Sequence, residues 1–286
     1  MPAPEPTAAP APREAEPRYR VAAISFLNTA PLLWGLDTEP ALQLAYTAPS
    51  ACADQMRHGE ADIGIIPVIE MARMEGLAAL PGIAVAARAE VRSILLITRH
   101  SLGEIRRLAL DRSSRTSAVL AQILLCRRYG ARCEAAERAP VWRDMLEDAD
   151  AALLIGDPAL RLSITGEAEQ AGYRTYDLAA EWHQWTGLPF VFALWAVRRS
   201  AVPEPRRAWL AERFQRAKHE GLANAEMLVQ RWSRRLDLPA EEIRRYLAHD
   251  VEYDLSPEHW AGLGHFYQLA AEMGLIASPR PPGLLV

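Results

Sequence analysis

Lysine is almost absent from this chain: among 286 residues and 32 basic side chains, Lys218 is the only lysine. A phosphate-binding loop carries a lysine directly after its GxxxxG pattern, and no such lysine is present. A Schiff-base enzyme needs a lysine that is shielded in a pocket. Because Lys218 lies among many arginines and glutamates, we expect it on a solvated helix. The scarcity of lysine therefore excludes both enzyme classes.

Cysteine and histidine motifs are missing as well. The three cysteines, Cys52, Cys126 and Cys133, form no CxxC pair, which argues against a disulfide framework or a thiolate zinc site. Cys126 lies in an apolar helical run, and we expect it to be buried. None of the seven histidines belongs to an HExxH motif, and neither a GxSxG elbow nor a GxGxxG loop occurs. We expect no metal, no nucleotide, no covalent catalysis and no cofactor.

No apolar run is long enough to span a bilayer. The longest, residues 188–197, has ten residues, whereas a membrane-spanning helix needs about 20. The 36 acidic side chains outnumber the 32 basic ones and give a net charge of −4. No basic block is interleaved with aromatic residues, so we expect no nucleic-acid partner. Residues 1–19 are rich in Pro, Ala and Glu without an apolar core, which predicts a disordered tail and a cytoplasmic protein.

From Arg20 to about residue 198, strand-like apolar runs alternate with helical patterns. This alternation predicts an α/β protein with largely parallel sheets, and two such series followed by helices predict two lobes. The buried strands after Val91 and after Pro189 are the expected crossings between the lobes. We therefore expect domain I at residues 20–98 plus 196–286, and domain II at residues 99–195. Ligands of such folds bind in the cleft between the lobes.

Polar segments follow the predicted strands where helices are expected to begin. The first carries Asn28 and Thr29 ahead of Pro31, a pattern typical of a structural helix cap. The second, residues 111–117, has four hydroxyls, which is more than a cap needs, and exposed N–H groups at a helix start. We interpret this segment as an anion site, in which Arg115 adds a bidentate carboxylate contact.

Three more polar residues stand at element boundaries. Asp157 is explained as a helix cap, and Ser50 is likewise more typical of a cap than of a ligand contact. Ser93 differs, since an isolated hydroxyl at the start of a buried apolar strand normally has a partner. With hydroxyl and amide groups as its polar residues, the cleft suits a small carboxylate-bearing ligand.

Five segments follow one another between about residue 20 and residue 198: ISFLNTAPLL, VRS, SSRTS, LIGD and TGLPFVFALW. Their order and spacing resemble those of the chorismate dehydratases of the futalosine route to menaquinone. None of them is specific alone, and their succession carries the resemblance. It implies an α/β, two-lobed fold like that of type II periplasmic-binding proteins, with a central cleft and extra C-terminal helices.

The resemblance also implies an activity and a site. The activity is that of a hydro-lyase, which removes the ring hydroxyl of chorismate as water and gives 3-[(1-carboxyvinyl)oxy]benzoate. No cofactor is implied, because the elimination makes the ring aromatic. Asn28 is marked as catalytic by the resemblance. The substrate contacts expected from the matching segments and helix starts are Ser93, Ser114, Arg115, Thr116, Ser117, Thr29, Ser50 and Asp157.

The motifs place no histidine or glutamate as a base, and an amide such as Asn28 is not one. We therefore expect the enolpyruvyl carboxylate of the substrate itself to take the ring proton. A dry cleft would make that carboxylate more basic, and Asn28 would orient it or the leaving hydroxyl. Asp157 is the competing candidate, because it is the only acid in the matching motifs.

Two other functions remain open. 1,4-Dihydroxy-6-naphthoate synthase, a related enzyme, is associated with a histidine in the second lobe, and no histidine occurs between Ser101 and Glu181. A non-catalytic small-carboxylate-binding protein would have a similar cleft but normally carries a secretion signal or an early lipid-anchor cysteine, and Cys52 is the first cysteine. The expected partner is chorismate, with no nucleic acid and no membrane, and a homodimer is left open.

Overall fold

The computed structural model describes residues 18–286 and contains two five-stranded sheets. The predicted tail lies outside the described residues, except that Tyr19 already begins the first strand. The strands are β1 (Tyr19–Ile24), β2 (Leu42–Thr47), β3 (Ile63–Pro67), β4 (Leu77–Ala87), β5 (Ile94–Thr98), β6 (Arg107–Asp111), β7 (Glu134–Arg138), β8 (Ala151–Ile155), β9 (Arg174–Asp177) and β10 (Phe190–Arg198).

Helices lie between these strands and follow the last one. They are α1 (Pro49–Arg57), α2 (Val68–Arg73), α3 (Thr116–Ile123), α4 (Trp142–Met145), α5 (Gly156–Thr165), α6 (Glu167–Gln170), α7 (Leu178–Thr186), α8 (Glu204–Ala223), α9 (Ala225–Leu236), α10 (Ala240–Arg245) and α11 (Pro257–Glu272). Short 3-10 helices occupy Leu27–Leu33 and Leu102–Glu104, and π-helical turns occupy Leu124–Arg128 and Tyr246–Asp250.

Both sheets have the same arrangement of strand directions. In the first, ordered β2-β1-β3-β10-β4, β1 runs parallel to β2 and β3, whereas β10 is antiparallel to β3 and β4. In the second, ordered β7-β6-β8-β5-β9, β6 runs parallel to β7 and β8, whereas β5 is antiparallel to β8 and β9. The expected α/β alternation is confirmed, but the prediction of largely parallel sheets is wrong, because two of the four pairings in each sheet are antiparallel. Loops that follow parallel strands gather at one edge of each sheet, where ligands of open α/β sheets bind.

The strands inside both sheets are continuous apolar runs. β3, β5 and β8 are buried along their whole length. Such strands have no polar face, because helices cover both sides of the sheet. This burial explains why apolar runs, and not alternating patterns, marked these strands in the sequence.

The chain passes between the sheets earlier than predicted. The predicted boundaries place β5 in domain I and most of β10 in domain II, but β5 pairs in the second sheet and β10 pairs in the first. Both boundaries therefore move to the segments that precede these strands. The error has a physical cause: a continuous apolar run indicates a strand buried on both faces, but it does not indicate which sheet buries it.

Two side chains have the opposite exposure to that expected. Lys218 is 3% exposed, and its ammonium group donates to the carbonyl of Gly82 at 2.9 Å and to Asp254 at 2.6 Å. Its apolar stem can be buried once the charged head is paired. Cys126 is exposed, since it lies in a π-helical turn that departs from the helical periodicity used to predict its burial.

The C-terminal helices pack mainly against the first sheet and its connections, and one of them also contacts the second lobe. α8 lies on the 3-10 helix Leu27–Leu33 and on β4, and α11 lies on β10 and α3. Gly221 of α8 allows the closest of these contacts, because a Cβ atom there would overlap the carbonyl of Pro31. Within residues 18–286, no helix has both the length and the apolar character needed to span a membrane.

Gly221→Ala should destabilise the protein through this contact. The added methyl group must push α8 away from Pro31, and overpacking of this kind costs about 1–3 kcal/mol. We expect the free energy of unfolding in urea to fall by that amount. The matched control is Gly264→Ala on α11, where a Cβ atom meets nothing within 4 Å. That variant should be neutral or more stable, and equal losses in both would contradict the packing argument.

Candidate active site between the two lobes

A small cavity lies between the two sheets, at the ends of the strands from which the polar segments emerge. We call the first sheet and its helices the first lobe, the second sheet and its helices the second lobe, and this cavity the inner pocket. Its volume is about 50 Å³. The lining residues are Ile24, Phe26, Asn28, Thr29, Pro49, Pro67, Val85, Phe192 and Ala193 of the first lobe, and Ile94, Ser114, Arg115, Thr116, Ser117, Ile155 and Gly156 of the second.

Asn28 reaches the inner pocket from the 3-10 helix that follows β1. Phe26 occupies the N-cap position of this helix, and no side chain forms a capping hydrogen bond there. The expectation that Asn28 and Thr29 act as caps is therefore wrong. Asn28 Oδ1 is buried and has no hydrogen-bond partner among the described residues. An unpartnered buried acceptor is costly, and a ligand with a hydroxyl donor would satisfy it.

Ser114 and Arg115 face the same pocket from the start of α3 in the second lobe. Ser114 Oγ and Arg115 Nε are also buried without a hydrogen-bond partner in the described part of the chain. Both can donate a hydrogen bond to a carboxylate. The outer nitrogens of Arg115 lie 3.8 Å from Asp54 and 3.6 Å from Glu137. The lobes therefore bring two unpartnered donors and one unpartnered acceptor into one cavity.

The two threonines of the inner pocket are already engaged. Thr29 Oγ1 lies 2.8 Å from the carbonyl of Ile24 and 2.9 Å from that of Phe26, to either of which it can donate. Thr116 Oγ1 donates to the carbonyl of Phe192 at 3.1 Å, across the two lobes. The protons of both hydroxyls are therefore used within the protein, and Thr116 Oγ1 also accepts from the Ile69 N–H at 3.4 Å. Ser117 lines the pocket beside them and is almost fully buried.

Three expected substrate contacts do not line the inner pocket: Ser50, Ser93 and Asp157. Ser50 lies in the first turn of α1, whose cap position is Ala48 without a side-chain bond, so it is also not the expected cap. Ser93 Oγ accepts a 2.8 Å hydrogen bond from the Tyr246 hydroxyl. Ser93 has the buried partner that its position predicted, but that partner comes from the C-terminal helices.

Asp157 joins the lobes instead of capping a helix. α5 begins at Gly156, two residues earlier than a cap at Asp157 implies, and Asp157 Oδ1 accepts a 2.9 Å hydrogen bond from the backbone N–H of Leu27. Burial raises the pKa of the Asp157 carboxyl to about 6, although the Leu27 N–H and the charge of Arg235 act to lower it. Asp157 therefore forms a hydrogen bond between the lobes.

Phe26 lines the inner pocket, although the sequence did not predict it as a site residue. Gly156 has a φ of +68°, and a Cβ atom there would lie 2.5 Å from the Phe26 ring. Glycine thus satisfies both the backbone conformation and the close approach of the ring. Only the glycine in LIGD could have pointed to this contact. Tyr246 gave no signal, because its neighbours in sequence form an ordinary helical pattern.

The described residues form no cluster of three or more His, Cys, Asp or Glu side chains suited to a metal ion. The lining of the inner pocket contains none of these four residue types. Its chemistry is that of neutral hydroxyl and amide groups, the N-terminus of α3 and one arginine. Groups of these kinds can donate to a carboxylate and accept from a hydroxyl.

Comparison with known proteins assigns the chain to a family. Residues 19–272 match the family model described as menaquinone biosynthesis. The chain belongs to this menaquinone biosynthesis family. Its sequence is 29% identical over 271 residues to the chorismate dehydratase of Thermus thermophilus, covering 89% of this chain and 94% of that one. It is 27% identical over 127 residues to the chorismate dehydratase of Campylobacter jejuni, covering 44% and 52%.

Solved structures confirm the expected fold of this menaquinone biosynthesis family member. A protein from Archaeoglobus fulgidus superimposes with a TM-score of 0.69 at 19% identity, covering 91% of this chain and 98% of that one. The periplasmic aliphatic sulphonate binding protein SsuA of Escherichia coli superimposes with a TM-score of 0.63 at 15% identity, covering 95% and 94%. The two-lobed architecture is therefore that of periplasmic-binding proteins.

Asp157→Asn should change how stability depends on pH. The folded state raises the pKa of Asp157 from 3.8 to about 6. The charged carboxylate therefore costs stability as pH rises through this range, and the full cost is present above it. The variant amide can still accept from Leu27 but carries no charge. We expect the free energy of unfolding in urea of the variant, minus that of the wild type, to be about 1–3 kcal/mol larger at about pH 7.5 than at about pH 4, so the variant gains relative stability as pH rises.

The control for this measurement is Asp150→Asn, which should show the opposite sign. Burial raises the pKa of Asp150, but the backbone N–H groups of Arg106 and Arg107, with the charge of Arg107, outweigh it and leave the pKa below 3.8. Its carboxylate thus stabilises the fold above that value and loses this effect as pH falls. The same pH trend in both variants would contradict the assignment at Asp157.

Proposed function

We propose that this protein is a chorismate dehydratase acting in menaquinone biosynthesis through futalosine, with the cytoplasm as its expected location. The observation that carries the proposal is the set of unpartnered polar atoms in the inner pocket: the acceptor Asn28 Oδ1 and the donors Ser114 Oγ and Arg115 Nε. This set is complementary to a hydroxy-carboxylate, and chorismate is one. The relatives named as chorismate dehydratases support the same substrate.

The reaction removes a proton and a hydroxide from adjacent ring carbons of chorismate. The proton leaves the carbon that bears the enolpyruvyl ether, and its C–H electron pair forms the new double bond. Hydroxide leaves the neighbouring carbon and, with the proton, is released as water. The product, 3-[(1-carboxyvinyl)oxy]benzoate, is aromatic, so the elimination needs neither an oxidant nor a reductant.

The base in this proposal is the enolpyruvyl carboxylate of the substrate. The lining of the inner pocket contains no His, Asp or Glu. Asp157 already accepts a hydrogen bond from Leu27 through Oδ1 and is not among the lining residues. A carboxylate that is folded over the ring in a dry pocket loses hydration and becomes more basic. Holding it next to the proton replaces a bimolecular step with an intramolecular one.

The lining residues then have separate roles. Asn28 Oδ1 accepts from the ring hydroxyl and orients it for departure. Ser114 and Arg115 donate to the carboxylates, assisted by Ser117 and the N–H groups at the start of α3. Thr29 and Thr116 shape the pocket and fix the backbone around it. Ser93 accepts a hydrogen bond from Tyr246 and lies directly before β5, so it positions that strand beside the pocket.

Substrate entry requires the lobes to part. The inner pocket has a volume of about 50 Å³, whereas an apolar cavity that holds benzene measures about 150 Å³. Separation of the lobes would break the hydrogen bond between Asp157 and Leu27. It would also break the contact between Phe26 and Gly156. Once the lobes close again, the same contacts exclude water from the reacting atoms.

Asn28→Ala should abolish most of the turnover while the protein still folds. Loss of one oriented hydrogen-bonding group in an active site lowers kcat by about 100-fold or more. The assay follows the loss of the diene absorbance of chorismate and the appearance of an aromatic product. Asn224→Ala is the matched control, because that amide only bonds to the carbonyl of Glu220 at the end of α8.

The same assay decides which carboxylate is the base. Asp157→Asn should retain turnover if the substrate carboxylate takes the proton. An inactive Asp157→Asn that still binds chorismate, together with an active Asn28→Ala, would contradict substrate-assisted catalysis. Binding of chorismate by the wild type without conversion would instead favour the small-carboxylate-binding protein, the other function that this fold supports.

Ser114→Ala should weaken the substrate interaction more than the chemical step. The lost hydroxyl is a buried donor without a protein partner, and a hydrogen bond to a charged group contributes enough for about a tenfold rise in KM. Steady-state kinetics with chorismate measure this change. Ser163→Ala, a half-buried serine on α5 that lies outside the pocket, serves as the control. An unchanged KM in Ser114→Ala would remove this residue from the carboxylate site.

A further inference from the structure

A second and larger cavity adjoins the inner pocket on the first lobe. Its volume is about 480 Å³, and it shares Ile24 and Phe26 with the inner pocket. We call it the outer cavity. The 3-10 helix after β1 forms one wall, the end of β2 another, and α9 the third. Phe26 therefore stands between the two cavities.

Two arginines of α9 give the outer cavity a positive wall. Arg231 and Arg235 are four residues apart, which places them on the same face of the helix, and both line the cavity. Neither arginine forms an ion pair with an acidic side chain of residues 18–286. Asp37 is the one acidic lining residue, so the charged lining groups sum to one positive charge.

Aromatic rings form the remaining walls. Trp34, Tyr46 and Trp232 line the cavity, and Tyr46 is 53% exposed. The guanidinium of Arg235 lies 4.3 Å from the centre of the Trp232 ring. Planar rings beside unpaired guanidinium groups bind a flat or cyclic ligand that carries a carboxylate. Asp37 can in addition accept a hydrogen bond from a ring hydroxyl.

The two cavities differ in size. The inner pocket, at about 50 Å³, is too small for a six-membered ring, since a cavity that holds benzene measures about 150 Å³. The outer cavity has ample room for a substituted ring without any movement of the lobes. A ligand can therefore occupy the outer cavity while Phe26 still closes the inner pocket.

We propose that the outer cavity is a second binding site, which holds a hydroxylated cyclic carboxylate through Arg231 and Arg235 before it passes Phe26 into the inner pocket. The choice of ligand class rests on the proposed function. Binding at the outer cavity can nevertheless be measured without turnover, so failure of one proposal is distinguishable from failure of the other.

The test uses benzoate as the charged probe and benzamide as its neutral counterpart, with Kd values from ligand-observed NMR titrations of the full chain. We expect benzamide to bind the wild type at least about tenfold more weakly than benzoate, because it lacks the charge that Arg231 and Arg235 pair with. The double variant Arg231→Gln with Arg235→Gln should weaken benzoate binding by about the same factor. Tryptophan fluorescence should change on benzoate binding, since Trp34 and Trp232 line the site.

Two control variants locate the bound probe. Arg234→Gln changes the neighbouring arginine of α9, which does not line the outer cavity, and should leave the Kd of benzoate unchanged. Ser114→Ala changes the inner pocket and should also leave it unchanged. The proposal is overturned if the double variant binds benzoate like the wild type, if benzamide binds equally well, or if Ser114→Ala is the variant that loses binding. These outcomes hold whether or not the protein converts chorismate.

Discussion

The hydrogen bond from the Leu27 N–H to the Asp157 carboxylate joins the two lobes next to Asn28 and Gly156, which line the inner pocket, and the site depends on it. Asn28 follows Leu27, so this bond fixes the amide opposite Ser114 in the second lobe. A hydrogen bond to a charged group contributes about 1.5–3 kcal/mol. Burial of the carboxylate, which raises the pKa of Asp157 to about 6, outweighs that gain when the carboxyl is charged. Closure of the lobes is therefore less favourable above this pKa than below it, which suits a site that must open to admit a ligand.

Neutral and charged groups are divided between the two cavities. The inner pocket presents hydroxyls and an amide, with Arg115 as its only charged side chain, and the ends of that arginine face Asp54 and Glu137. The unpaired arginines of α9 lie outside it, where water still reaches them. This division suits a reaction in which a substrate carboxylate acts as the base, because a fully paired carboxylate would be a weaker one.

The C-terminal helices contribute contacts to the site. Tyr246 holds Ser93 at the start of β5, and α9 forms a wall of the outer cavity. Lys218 fixes α8 to β4 at Gly82 and to Asp254, so the single lysine is structural. Sequence periodicity shows which face of an amphipathic helix is apolar, but it does not show which element that face packs against.

The sequence by itself determined the α/β class, the two lobes and the hydroxyl-rich segment around Ser114, because strand and helix periodicities and local polar runs are local properties of the chain. Tertiary structure decided which lobe receives β5 and β10, and it made Asp157 a bond between lobes instead of a cap. It also brought Asn28, Phe26 and Gly156 together around one cavity. These are contacts between residues far apart in sequence, and their partners are set by packing, which no local pattern encodes.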